Sequence, residues 1–159
     1  MDTYNHFEYG EALANGLAWV DCFLRASSEQ DPEDIHEKIS RLKGCLLVAV
    51  DGKDSGFEYN QSEVLNEQAN YCFLLLQQTE AGNPDSVYAA QVKCKRLARE
   101  ITVRMMADYC VMANGLADLI PDSFELHGIG PMGTSFHGVA LSFAVGENWD
   151  YQLDPVMWR

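Results

Sequence analysis

The sequence predicts an α+β domain, with N-terminal helices and one long helix packed on one face of a mainly antiparallel four-stranded sheet, in the order helix-strand-strand-helix-strand-strand. Three observations carry that expectation. An amphipathic stretch of helical period runs from about residue 85 to 118, two short apolar runs precede it, and the final third alternates with period two. At 159 residues, 47% hydrophobic and 11% aromatic, the chain has the size and make-up of a single domain over 1–159 with one core, in which 146–159 form an aromatic-rich tail.

Each element has its own warrant. Phe7, Leu13, Leu17, Val20 and Leu24 recur at helical steps and predict a helix over about 6–26, weakened in its middle by Asn15 and Gly16. "DPEDIHEKISRL" offers Asp31 as N-cap and Pro32 at the first helical position, with Ile35, Ile39 and Leu42 on one face, so a short second helix ends at Gly44. "CLLVAV" (Cys45 to Val50) is a buried strand bounded by "DGKDSG", whose Asp51-Gly52 pair is a hairpin-type signal. A second strand is expected over 69–78, although the apolar positions from Val64 also fit a helix. Asn83 and Pro84 then start the long helix, with Cys94, Leu97, Ala98, Ile101, Met105, Tyr109, Met112 and Leu116 as its core stripe and Gly115 or Pro121 at its end. "SFELHGI" and "FHGVALSFAV" supply the last two strands. In the latter, Gly138, Ala140, Ser142 and Ala144 leave one face small enough for close approach by another layer or subunit.

Charge and composition remove several function classes. A net charge of -13 disfavours neutralising nucleic-acid phosphates over a broad surface, so no direct nucleic-acid partner is expected. The basic run is "KCKRLARE" (Lys93, Lys95, Arg96, Arg99) followed by Arg104, at helical spacing: either a solvated face paired with acidic neighbours or a docking stripe for an acidic partner. The longest apolar runs fall far short of the roughly 20 residues that span a bilayer, so no membrane is expected either. The acidic N-terminus lacks the features of a secretory leader, which points to synthesis in the cytoplasm. Five cysteines without a C-x-x-C pair read as buried reduced thiols.

The segment "HGIGPMGTSFHG" holds Gly128, Gly130 and Gly133 at G-x-G-x-x-G spacing. A dinucleotide site needs such glycines between a strand and a helix, whose free amides hold the pyrophosphate. Here a strand follows and Pro131 removes an amide, so a glycine-rich connection between antiparallel strands is the better reading. His127 and His137 could face each other across those strands, but only Glu125 is near as a third metal ligand. His36-Glu37 lacks the second histidine of H-E-x-x-H, and His6 stands alone; each reads as a surface or satisfied core residue. No nucleophile signature is present. No catalytic, cofactor or metal residue is assigned, and an enzyme is not expected. Two minority readings stand beside this: a small enzyme or ligand-binding domain with a pocket near His127 and His137, and an acidic inhibitor that mimics DNA.

The tail "ENWDYQLDPVMWR" is dense in the residue types that anchor interfaces. It either folds back on its own core or docks on a neighbouring subunit. Together with the loop expected over 51–62 it forms the candidate assembly interface: Asp51, Lys53, Asp54, Phe57, Tyr59, Trp149, Tyr151, Val156 and Trp158.

The order of elements, and above all "IGPM" (Ile129 to Met132), a short linker and "FHGVALSFAV", resembles small proteins among the tail and neck genes of bacteriophages and prophages, especially those of Bacteroidetes. Gly133-Thr134-Ser135 stands where that family more often has an acidic-asparagine linker. The element order is also similar to tail-terminator proteins, which cap the tail tube as rings and join it to the head. The resemblance implies a structural virion protein, a homo-oligomeric ring with other tail or neck proteins as partners, and no catalytic residue to transfer.

Overall fold

A computed structural model describes residues 3–27, 32–60, 64–133, 135–149 and 153–159. The elements are α1 (His6–Gly16), β1 (Cys22–Ala26), α2 (Pro32–Ser40), β2 (Cys45–Val50), β3 (Ser55–Asn60), β4 (Val64–Gln78), α3 (Pro84–Cys110), β5 (Leu119–Met132) and β6 (Phe136–Trp149). The fold is α+β, as the sequence predicts, but the sheet is six-stranded and mixed rather than four-stranded. Its order is β1-β2-β4-β6-β5, with β3 paired to β4. β1 runs parallel to β2, and the other pairs are antiparallel.

The helices are not confined to one face. α1 and α3 cover one face over Leu47, Phe73, Leu75, Leu141 and Phe143, while Ile35 and Ile39 of α2 cover the other over Leu46, Val48, Leu74 and Leu76. This explains "CLLVAV": all six residues are buried, because a strand enclosed on both sides reads as a continuous apolar run. Gly10 lets α1 lie close to the sheet, since a Cβ there would sit 3.0 Å from the Phe73 ring and 3.1 Å from Ala49 Cβ.

Three helix boundaries depart from expectation, β4 begins at Val64 rather than near 69, and 146–149, expected in the tail, belong to β6. The helix expected over 6–26 stops at Gly16, where the Leu17 amide donates to the Leu13 carbonyl at 2.9 Å. Leu24 then belongs to β1: a short apolar run fits helix or strand alike, and the open edge of β2 decides for strand. The long helix has the expected cap, the Asn83 side chain accepting from the amides of Asp85 and Ser86, but it ends at Cys110 rather than near 118. Met112, Asn114 and Gly115 take positive φ (56°, 57° and 75°) and turn the chain. Leu116 is buried as expected but from that turn, and Met112 is exposed rather than core. Asp31, the expected N-cap of the second helix, lies outside the described residues, and α2 ends at Ser40 rather than reaching Gly44.

All five cysteines are free; Cys45, Cys72 and Cys94 are buried, Cys22 is half-buried, and Cys110 is exposed, contrary to its expected burial. Among the described residues no helix is long and apolar enough to cross a membrane.

Candidate assembly interface

The segment 51–62, expected as a loop, contains β3. Along β4, Val50 faces Cys72 and Ser55 faces Ala69, so four residues (51–54) stand opposite two (70 and 71). The chain therefore bulges and continues in the same direction, and the Asp51-Gly52 turn signal marks the bulge rather than a reversal. Asp51 holds it together: its amide donates to the Ala26 carbonyl at 3.0 Å, and its carboxylate accepts from the Lys53 amide at 3.1 Å and Lys53 Nζ at 2.9 Å. Lys53 sits at φ 57°. The Asn70 amide then donates to the Asp54 carbonyl at 2.8 Å and pairing resumes. The connection from β3 to β4 lies at 61–63, outside the described residues.

The result is a three-stranded arm in which β3, the first half of β4 and the end of β6 lie side by side. Tyr59, Leu65 and Trp149 share one cross-strand row, and Phe57, Glu67 and Glu147 share the next. Strand alternation puts both rows on the face that α1 and α3 cover further along the sheet. Past the helices no described element covers that face. Phe57 is 60%, Tyr59 67% and Trp149 47% exposed. Glu67 fixes the rows, accepting from Trp149 Nε1 and from Ser55 Oγ at 2.8 Å each. The opposite face is polar, with Asn66 Nδ2 donating to Asn148 Oδ1 at 2.8 Å. Among the described residues the outer edge of β3 pairs with no strand.

Over its described residues 153–159 the tail stays exposed and does not pack on the core. Over 153–159 it makes a turn closed by the Val156 amide on Asp154 Oδ1 at 2.9 Å and the Met157 amide on the Asp154 carbonyl at 3.1 Å. Leu153, Val156, Met157 and Trp158 are all exposed. Tyr151 lies outside the described residues. Of the nine residues expected at the interface, the structure thus brings Phe57, Tyr59 and Trp149 onto one face and leaves Val156 and Trp158 open on the tail. Asp51 is buried inside the bulge, with Lys53 tied to it and Asp54 beside them. Leu65, Glu67 and Glu147 were missed; the period-two run Leu65, Glu67, Ala69, Tyr71, Phe73 carries the signal, but only the register shows which strands it meets.

The glycine-rich segment is strand, turn and strand. Gly128 and Gly130 lie within β5, whose Gly130-Pro131 peptide is cis, and Gly133 lies in the turn at φ 60°. That turn is held against α2 by the Gly133 amide donating to His36 Nδ1 at 2.8 Å. His127 stands opposite Ala140, an odd number of residues from His137, so the two rings project to opposite faces of the sheet. His127 Nε2 lies 3.3 Å from Glu125 and His137 Nδ1 3.0 Å from Thr79 Oγ1. The described residues hold no group of three or more His, Cys, Asp or Glu side chains arranged for a metal ion. The small-residue face of β6 has two uses: Ala140 packs on the α2 side, and the Ala144 amide donates to Ser123 Oγ at 2.8 Å, which fills the register shift between Ile120 and Glu125.

Polar groups in the core are satisfied within the chain. His6 Nε2 donates to the Cys72 carbonyl at 2.8 Å, so Nδ1 accepts from Tyr4 Oη, also at 2.8 Å. The ring stacks on Phe73 and Tyr71, and burial lowers its pKa to about 4. Asp108 accepts from Tyr9 Oη at 2.7 Å and also meets Arg104 and Asn114. Burial and that carboxylate push the Tyr9 phenol well above its ordinary pKa. Tyr9, Arg104, Asp108 and Asn114 border an open groove of about 910 Å³ between α1 and α3, which neither His127 nor His137 lines. No protein-family model matches the chain, and no curated protein matches it significantly.

Proposed function

We propose that the chain is a structural bacteriophage virion protein, tail-terminator-like or a neck component joining head and tail, made in the host cytoplasm and working by assembly into a ring. The observation that carries this reading is the arm. It offers three exposed aromatic side chains in adjacent rows and a strand edge that pairs with no other strand among the described residues, the features by which sheets recruit other chains. The exposed apolar tail supplies a second surface of the same kind. A contact that joins two different patches of one chain is head-to-tail, and such contacts close into rings when the rotation closes. The resemblance of "IGPM" and "FHGVALSFAV" to phage tail and neck proteins supplies the kind of particle.

Negative-stain electron microscopy and native mass spectrometry over a concentration series test it. Closed rings of one stoichiometry are expected. Deleting Leu153 to Arg159, which lie outside the sheet, is expected to keep the circular dichroism spectrum and shift the rings to smaller species. A chain that stays monomeric at every concentration sinks the reading.

A further inference from the structure

Charge is unevenly distributed along this acidic chain. Five of its 11 Lys and Arg residues (Lys93, Lys95, Arg96, Arg99 and Arg104) fall on α3, and none lies between 54 and 92 or between 105 and 158. The arm strands are therefore free of basic side chains and carry Glu58, Glu67 and Glu147. On α3, buried Ala90, Cys94, Leu97, Ala98, Ile101 and Met105 face the sheet. Helical spacing turns Tyr88, Val92, Lys95, Arg99 and Val103 the other way. Tyr88 is 71%, Val92 52% and Val103 63% exposed. Lys93 donates to Gln77, Arg96 lies over Trp19 and Arg104 meets Asp108. Lys95 and Arg99 are exposed and make no ion pair among the described residues.

We propose that the outward stripe of α3 is the surface on which the arm of a second copy docks, with Phe57, Tyr59 and Trp149 against Val92 and Val103, and Glu67 and Glu147 against Lys95 and Arg99. The inference rests on the ring reading and names its contact. On α3 Lys95 and Arg99 lie between Val92 and Val103, on the arm Glu67 and Glu147 lie beside the aromatic side chains, and the signs are opposite, which fixes register and suppresses like-to-like pairing. The patches differ, so the contact is head-to-tail and leaves one of each free at either end of any open chain.

Charge exchange tests the pairing, read by sedimentation velocity on full-length protein with circular dichroism as the folding control. Lys95→Glu with Arg99→Glu, and separately Glu147→Arg, are each expected to weaken self-association on the order of tenfold or more, because like charges then meet across the contact. All three in one chain restore opposite signs at position 147, while Glu67 still meets like charge, and are expected to recover part of the association lost in either reversal alone. Val103→Glu probes the same stripe should the double reversal fail to fold. Variants that associate like the wild type overturn the inference and leave the ring reading standing. Loss on α3 that the arm reversal does not rescue removes the arm as its partner. A wild type that is monomeric throughout overturns both.

Discussion

Strand β4 passes through two environments. From Cys72 to Leu76 every side chain is buried between the α1/α3 layer and α2; from Val64 to Ala69 every one is half-exposed, although both halves are paired on both edges. Backbone pairing alone thus extends the strand, and the covering layers decide where apolar burial stabilises it. Each net hydrogen bond contributes about 1 kcal/mol, whereas a fully buried Leu or Phe side chain contributes about 1.5–3 kcal/mol. The core half should therefore hold the fold, and the arm half should be free to serve contact.

The sharpest way to break this comparison is to truncate the core half. Phe73 is fully buried and stacks on His6. Phe73→Ala should cost about 3–5 kcal/mol of unfolding free energy, read as a lower urea-denaturation midpoint at constant slope. A loss under about 1 kcal/mol would mean that the two halves are energetically alike, outside the range expected for such a deletion.

Next in size is a pH effect that belongs to the core half alone. The folded His6 pKa of about 4 lies below the ordinary 6.5, so the folded state holds the ring neutral while the unfolded chain accepts a proton. Nothing is lost above pH 6.5. Stability falls as pH drops from 6.5 towards 4 and levels off below, by about 3 kcal/mol from this group. His6→Gln should remove that slope from the stability profile, leaving the carboxylate contribution; an unchanged slope would place the titration elsewhere.

The same division governs what the sequence discloses. "CLLVAV" reads correctly to the residue because burial on both faces writes an uninterrupted apolar run, and Asn83-Pro84 marks the start of α3 because capping is local chemistry. The arm is not local. "SGFEYN" carries Gly and Asn at its ends and follows a turn signal, so it reads as loop, although Phe57 and Tyr59 alternate with Glu58 as a strand requires. Only pairing with Val64 to Ala69, across a bulge that no propensity encodes, makes it β3. β1 was lost for a related reason: Leu24 fits both helical spacing and a strand, and the deciding partner, β2, lies beyond an intervening helix. Of the candidate interface, exposed aromatics in 51–62 and the tail were legible by composition. Their alignment with Glu67 and Glu147 was not, because it depends on register.

The smallest expected effect on stability comes from the arm, and it is the most discriminating. Phe57→Ser with Tyr59→Ser keeps the backbone ladder between β3 and β4 and removes side chains already 60% and 67% exposed. Surface changes of this kind usually stay within about 0.5 kcal/mol each, with a few tenths from lower strand propensity. Self-association should nevertheless fall by about three orders of magnitude, since two aromatic anchors at an interface contribute about 2 kcal/mol each. Denaturation and native mass spectrometry on the same preparation separate the two quantities. If stability drops as far as it does for Phe73→Ala, the arm belongs to the core and its exposure has another meaning. If neither stability nor association moves, the aromatic rows are not the contact, and the tail is left as the surface to truncate.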